Sequence, residues 1–81
     1  MYHIIETTKD IRRVAVSDGL MVRTYKQADD ALKDAMDLAT AQLFKANAEL
    51  TSNRNGIEKD GNDIFVIQDG LLYATYEVVI F

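Results

Sequence analysis

One stretch of this chain, from about Tyr25 to Leu50, keeps a helical period, and the residues on either side of it read as short strands. Ala28, Leu32, Ala35, Ala39, Leu43, Ala46 and Leu50 recur at i, i+3/i+4 and fall on one stripe. Asp30, Lys33, Asp34 and Asp37 lie on the opposite side. The stripe is mostly Ala and Leu, so the helix can lie close against a flat surface. With no second helix to pair with, that surface has to be a β-sheet made from the rest of the chain. Thr24 and Gln27 stand at capping-box spacing, which places the helix start there. Asp29 and Asp30 in the first turn suit the positive end of the helix dipole.

The strands follow from β-branched and aromatic runs separated by turn residues. Tyr2 to Thr8, Ile11 to Ser17 and Leu20 to Thr24 read as the first three, with Asp18-Gly19 as a type I′ hairpin turn between the last two. Thr51 to Asp63 shows no period and two turn signals, Asn55-Gly56 and Asp60-Gly61, so it reads as an exposed, mobile loop. Asp63 to Gln68 and Leu71 to Phe81 form a closing hairpin around Asp69-Gly70. A two-residue loop there pairs Gln68 with Leu71, Ile67 with Leu72, Val66 with Tyr73 and Phe65 with Ala74. This register puts Phe65, Ile67, Leu72, Ala74, Tyr76, Val78 and Ile80 on one face. Ile64, Val66, Leu71, Tyr73, Thr75, Val79 and Phe81 fall on the other. The expected fold is α+β, a βββαββ antiparallel sheet with one long helix packed on one face, forming a single domain over residues 1–81. The segment Asp18 to Tyr25 echoes Asp69 to Tyr76 at matched offsets, as a duplicated hairpin would, and shared turn chemistry is the simpler account.

Composition removes several classes of function. The chain has 81 residues and no cysteine, so it holds one small core and no disulfide, thiolate nucleophile or cysteine metal site. No apolar run approaches the ~20 residues that span a bilayer, and no basic-then-apolar leader opens the sequence, so the expectation is a cytoplasmic protein without membrane contact. Net charge is −4 and the pI about 4.7, with no basic cluster beyond Arg12-Arg13. Direct nucleic-acid binding is not expected, and an acidic surface favours a basic partner protein. His3 is the single histidine and has no convergent partner in sequence. Asp60-Gly61-Asn62-Asp63 has the look of a calcium loop, but position 64 is Ile64 where a ligand would stand. No catalytic, cofactor or metal motif is present, and a non-enzymatic role without cofactor is expected.

Three features point to a contact surface. Phe44 projects almost opposite Ala35, away from the sheet-facing stripe. Tyr73 and Phe81 belong to the sheet face that a single helix leaves uncovered. Asp30, Asp34 and Asp37 make an acidic helix face at its margin. These six residues are the candidate partner-binding set, and the surplus of apolar surface in so small a domain points to a homodimer. The helix is also long for the sheet, so its far end around Leu43 to Leu50 is expected to overhang.

As a whole, with its short first strand Tyr2 to Thr8, Ala-rich helix Asp30-Ala-Leu-Lys-Asp-Ala-Met-Asp-Leu-Ala39 and closing hairpin Phe65-Val-Ile-Gln-Asp-Gly-Leu-Leu-Tyr73, the chain resembles the small accessory proteins of tailed phages, including anti-CRISPR and other anti-defence proteins. The resemblance implies non-catalytic inhibition of a host protein or complex by surface contact, or sequestration of a nucleotide-like signal at a dimer seam. It carries over no functional residue. A sponge of the second kind would gather Arg12, Arg13, Arg23 or Arg54 around a pocket. The strands followed by Asp29-Asp-Ala-Leu-Lys-Asp-Ala35 also resemble HicB-type antitoxins, although this chain has no proline where that family has a Pro-rich stretch before the helix.

Overall fold

The computed structural model describes residues 1–10, 12–45 and 54–81. Its elements run β1 (Tyr2–Thr8), β2 (Val14–Ala15), β3 (Ser17–Asp18), β4 (Met21–Val22), α1 (Ala28–Lys45), β5 (Gly56–Asp60), β6 (Asp63–Gln68) and β7 (Leu71–Ile80). The main sheet is antiparallel and five-stranded, in the order β2-β1-β7-β6-β5, while β3 and β4 form a separate small hairpin. Helix α1 lies across one face, chiefly over β6 and β7. The α+β architecture with one helix on an antiparallel sheet is therefore as the periodicities indicate.

The core is the seam between α1 and the sheet. Ala31, Ala35, Ala39 and Leu43 are buried on the helix, against Ile4, Ile64, Val66, Ala74, Tyr76 and Val78 on the sheet. Three alanines in succession let the helix axis approach closely, and the larger Leu32, Met36 and Leu38 close the flanks of the seam. At its start the buried stripe runs through Ala31 rather than through Leu32. The positions Ala46 and Leu50 lie outside the described residues.

The helix begins at Ala28, not at the Thr24 capping box. Tyr25 is held in an extended bridge to β1, its N–H donating to the Tyr2 carbonyl at 2.9 Å and its carbonyl accepting from the Tyr2 N–H at 2.8 Å. A residue committed to that bridge cannot enter a helical turn, so the chain turns helical only afterwards. Likewise β3 ends on Asp18, so the central residues of its turn are Gly19-Leu20 rather than Asp18-Gly19.

The loop expected from Thr51 to Asp63 contains a strand. Gly56–Asp60 pairs with β6 through the register Ile57↔Val66 and Glu58↔Phe65, and Gly61-Asn62 is the tight turn between them. Ile57 alone packs against the core. An edge strand buries little and needs little apolar patterning, while its charges, Glu58, Lys59 and Asp60, keep the open edge from pairing with other chains. Thr51 to Asn53 lie outside the described residues.

Gly61 and Gly70 both sit at positive φ, 61° and 77°. A β-branched residue at either is strained by about 1–2 kcal/mol. Gly61→Val and Gly70→Val should each lower the melting temperature by roughly 4–8 °C per kcal/mol. Gly56→Val, where an added Cβ meets nothing within 4 Å and φ is not positive, should leave it nearly unchanged. Thermal melts by circular dichroism check this, and an unshifted Gly61→Val would show that β5 and β6 do not form a hairpin.

The last hairpin starts in the expected register, Gln68↔Leu71 and Ile67↔Leu72, and then slips by one residue, so that Val66 faces Ala74 and Phe65 faces Thr75. Tyr73 is the extra residue of a β-bulge. Because side chains alternate, a one-residue slip exchanges the faces of one strand relative to the other. Ile64 and Val66 thus join Ala74, Tyr76 and Val78 beneath the helix. Without the bulge, one of those two sets would have to face away. The expected face assignment for β6 is reversed relative to β7, and Tyr73, expected on the uncovered face, packs against the core cluster.

Candidate functional site

The face of the sheet away from α1 is built by register. His3, Ile5 and Thr7 of β1 oppose Val79, Glu77 and Thr75 of β7. Thr75 and Glu77 in turn oppose Phe65 and Asp63 of β6. Glu58 and Asp60 of β5 extend the face to its edge. Ile5, Phe65, Ile67 and Val79 are half-buried, and the one described helix lies on the other side. At one end the Phe81 ring stacks on His3, with centroids 4.5 Å apart. Across the middle, Arg13 Nη1 reaches both Glu77 carboxylate oxygens at 3.0 and 3.2 Å. This pair relieves the repulsion between Glu77 and Asp63 directly opposite.

A second construction roots the β3–β4 hairpin. The Val16 N–H donates to the Ile4 carbonyl at 2.9 Å, and the Arg23 N–H donates to the Val16 carbonyl at 3.0 Å. The Arg23 guanidinium then bridges two elements, from Nε to Asp18 Oδ1 at 2.7 Å and from Nη1 to Asp34 Oδ2 at 3.1 Å. The Tyr25 hydroxyl donates to the same Asp34 oxygen. The hydrogen bond to Asp18 holds Arg23 protonated well above its ordinary range. Its charge is met by two carboxylates, so the recess among Asp18, Arg23, Thr24, Tyr25 and Asp34 offers no unbalanced cation to an anionic ligand. Beyond this clip the hairpin tip stands in solvent, Leu20 fully exposed and Met21 74% exposed.

A third polar contact sits under the helix. The buried Tyr76 hydroxyl donates to Glu6 Oε2 at 2.7 Å. Burial, with the Glu6 bond second, pushes the Tyr76 phenol well above its usual range, and burial together with Asp34 raises Tyr25 to about 12. Both phenols are neutral in the folded protein at pH values where an unfolded chain ionises them, near 10. The unfolded state then binds fewer protons, so stability is fully present below about pH 10 and is lost as pH rises through 12. Urea midpoints should fall between mildly and strongly alkaline buffer, and the Tyr25→Phe/Tyr76→Phe double variant should flatten the fall. An unchanged midpoint in the parent chain would contradict the assignment.

The six residues singled out by sequence do not form one cluster. Phe44 is 59% and Phe81 60% exposed, Phe44 on α1 and Phe81 at the end of the open sheet face. Tyr73 lies on the helix side, where it lines a recess with Glu6, Thr8, Asp10, Gln42 and Lys45. Asp30 and Asp37 are exposed on α1. Asp34 is tied into the Arg23 clip. The exposed tip has no signal in the sequence, because Leu20 begins an apolar run and reads as strand rather than turn. No group of three acidic or histidine side chains able to hold a metal occurs among the described residues, and no helix among them is long and apolar enough to cross a membrane. Set beside known proteins, the chain matches no family model, no curated protein and no solved structure.

Proposed function

We propose that this chain is a non-enzymatic protein-binding module acting by surface contact, of the kind by which phages and mobile elements inhibit a host defence protein in the host cytoplasm. The observation that supports this reading is the open sheet face. A solvated face of an antiparallel sheet is ordinarily polar; this one sets Ile5, Phe65, Ile67, Val79 and Phe81 among Thr7, Thr75, Asp63 and Glu77. Small modules with such a face bury it against a partner. The test is capture from host lysate by the immobilised chain beside its Phe65→Lys variant. A protein retained by the first and lost by the second is expected, and equal capture contradicts the reading.

The sponge and antitoxin readings have less behind them. Arg13 lies over the open face on Glu77, Arg23 is in the hairpin clip, and Arg54 donates to the Asp69 carbonyl at 2.9 Å. Arg23 and Arg54 line separate recesses, so these cations do not converge.

A homodimer remains a reading with its own observation, the 59% exposure of Phe44 on the outer side of α1. Light scattering on the eluting protein should give twice the 9.1 kDa chain mass, and Phe44→Ser should return the single mass. A single mass for the parent chain at every concentration would remove this reading.

A further inference from the structure

We infer that the β3–β4 hairpin is a preorganised anchor whose tip, Leu20 and Met21, enters an apolar pocket rimmed by basic side chains on another protein. The tip adds nothing to the core: Leu20 is fully exposed, Met21 74% and Val22 45%. Two strands of two residues each cannot hold a hairpin in water on their own. Its order comes from its root, through the Val16 backbone bond to Ile4 of β1, the Arg23 backbone bond to Val16 that closes the base, and the Arg23 bridge from Asp18 to Asp34. These contacts seat Val16 and Tyr25 against the core, but the fixed tip beyond them, Leu20 and Met21, buries almost no apolar surface and gains nothing for the fold. Recognition accounts for it, because a tip already fixed loses little conformational freedom when it docks.

The chemistry of the occupant follows from shape and charge. A convex apolar tip fits a concave apolar pocket. Beside it the Asp18 side chain is 68% exposed. The clip also fastens the hairpin to the α1 face carrying Asp30 and Asp37, where Lys33 leaves the balance acidic. Lys or Arg at the rim of the pocket would be steered to this surface. An anionic membrane would repel it, and a second copy would bring the same carboxylates together.

The experiment selects binders to the whole chain from a displayed library of small repeat domains with a randomised concave face. Expected are domains with apolar centres and Lys/Arg rims. Their affinity should fall about tenfold or more on the Leu20→Ser/Met21→Ser variant, as for an interface anchor. It should fall more gently on Asp30→Asn/Asp37→Asn, with a flatter salt dependence. The Leu20→Ser/Met21→Ser variant should melt with the parent, since both residues are exposed, and Asp30→Asn/Asp37→Asn should melt a few degrees lower at most, through the lost Asp30 charge at the helix start. Binders indifferent to the Leu20→Ser/Met21→Ser change would overturn the anchor; if the same binders fail on Phe65→Lys, the sheet-face reading stands without it. Tip-dependent binders with neutral or acidic rims would overturn the basic-pocket chemistry. Tip-dependent flotation with anionic vesicles, or tip-dependent dimerisation, would overturn the choice of partner.

Discussion

Tyr76→Ala should cost the fold about 3–5 kcal/mol, the range for removing a large aromatic side chain from a core. Tyr76 is 1% exposed, sits on the central strand β7 and faces Ile64 of β6 and Glu6 of β1. Its ring fills the space under a helix whose contact residues are mostly alanine, which cannot reach down to close a cavity. Loss of the ring also leaves Glu6 without the hydroxyl that it accepts from. A chain of 81 residues has about 4–12 kcal/mol of stability in all, so the variant should lose a large share of it and melt well below the parent. Tyr76→Phe keeps the ring and loses the single bond to Glu6, at about 1.5–3 kcal/mol for a bond to a charged group. A melt of both variants should rank them in that order. Equal shifts would mean that the hydrogen bond, not the packing, carries the contribution of this residue.

Much of this fold could be read from the residues, and the rest depends on contacts distant in sequence. The helix stripe through Ala35, Ala39 and Leu43 and the strands β1, β6 and β7 have strong local periods, and tertiary contacts reinforce them. The bulge at Tyr73 has no local signature. It exists because Ile64 and Val66 on one strand and Ala74, Tyr76 and Val78 on the next must all face the same helix. The edge strand Gly56–Asp60 was hidden for the opposite reason, since an edge takes its order from its neighbour and shows it by only one apolar residue, Ile57. The helix start was displaced by a long-range bridge, Tyr2 to Tyr25, that no window around Thr24 contains. At the candidate surface the sequence pointed to Phe81 and to the uncovered face, but it assigned Tyr73 to the wrong side and left Leu20 and Met21 unread. Exposure of an apolar residue depends on where the chain turns, and that turn was misplaced by one residue.

Phe65→Lys should weaken partner binding by about thirtyfold while leaving the chain folded. Phe65 lies on the open face between Glu58 and Thr75, opposite the helix and outside the buried core. Phe65 is half-buried, and a lysine stem can lie along the same surface with its ammonium in water, so the cost to folding should be about 1 kcal/mol. Aromatic residues at the centre of an interface commonly carry 2 kcal/mol or more of the binding energy, about thirtyfold in affinity. The acidic helix residues act differently. Asp30→Asn/Asp37→Asn should slow association with a basic partner and flatten its dependence on salt, with dissociation little changed. Asp34 is kept out of that variant because its loss would also release Arg23 and Tyr25. Should carboxylates imitating a phosphate row be the recognised feature, the ranking would invert.

Surface-binding kinetics of the captured partner, on the parent chain, Phe65→Lys and Asp30→Asn/Asp37→Asn at low and high salt, test the sheet-face contact most directly. The expected result is a dissociation rate for Phe65→Lys raised beyond tenfold at both salt concentrations, with the melting temperature lowered by only about 4–8 °C. Unaltered kinetics for a folded Phe65→Lys would contradict it.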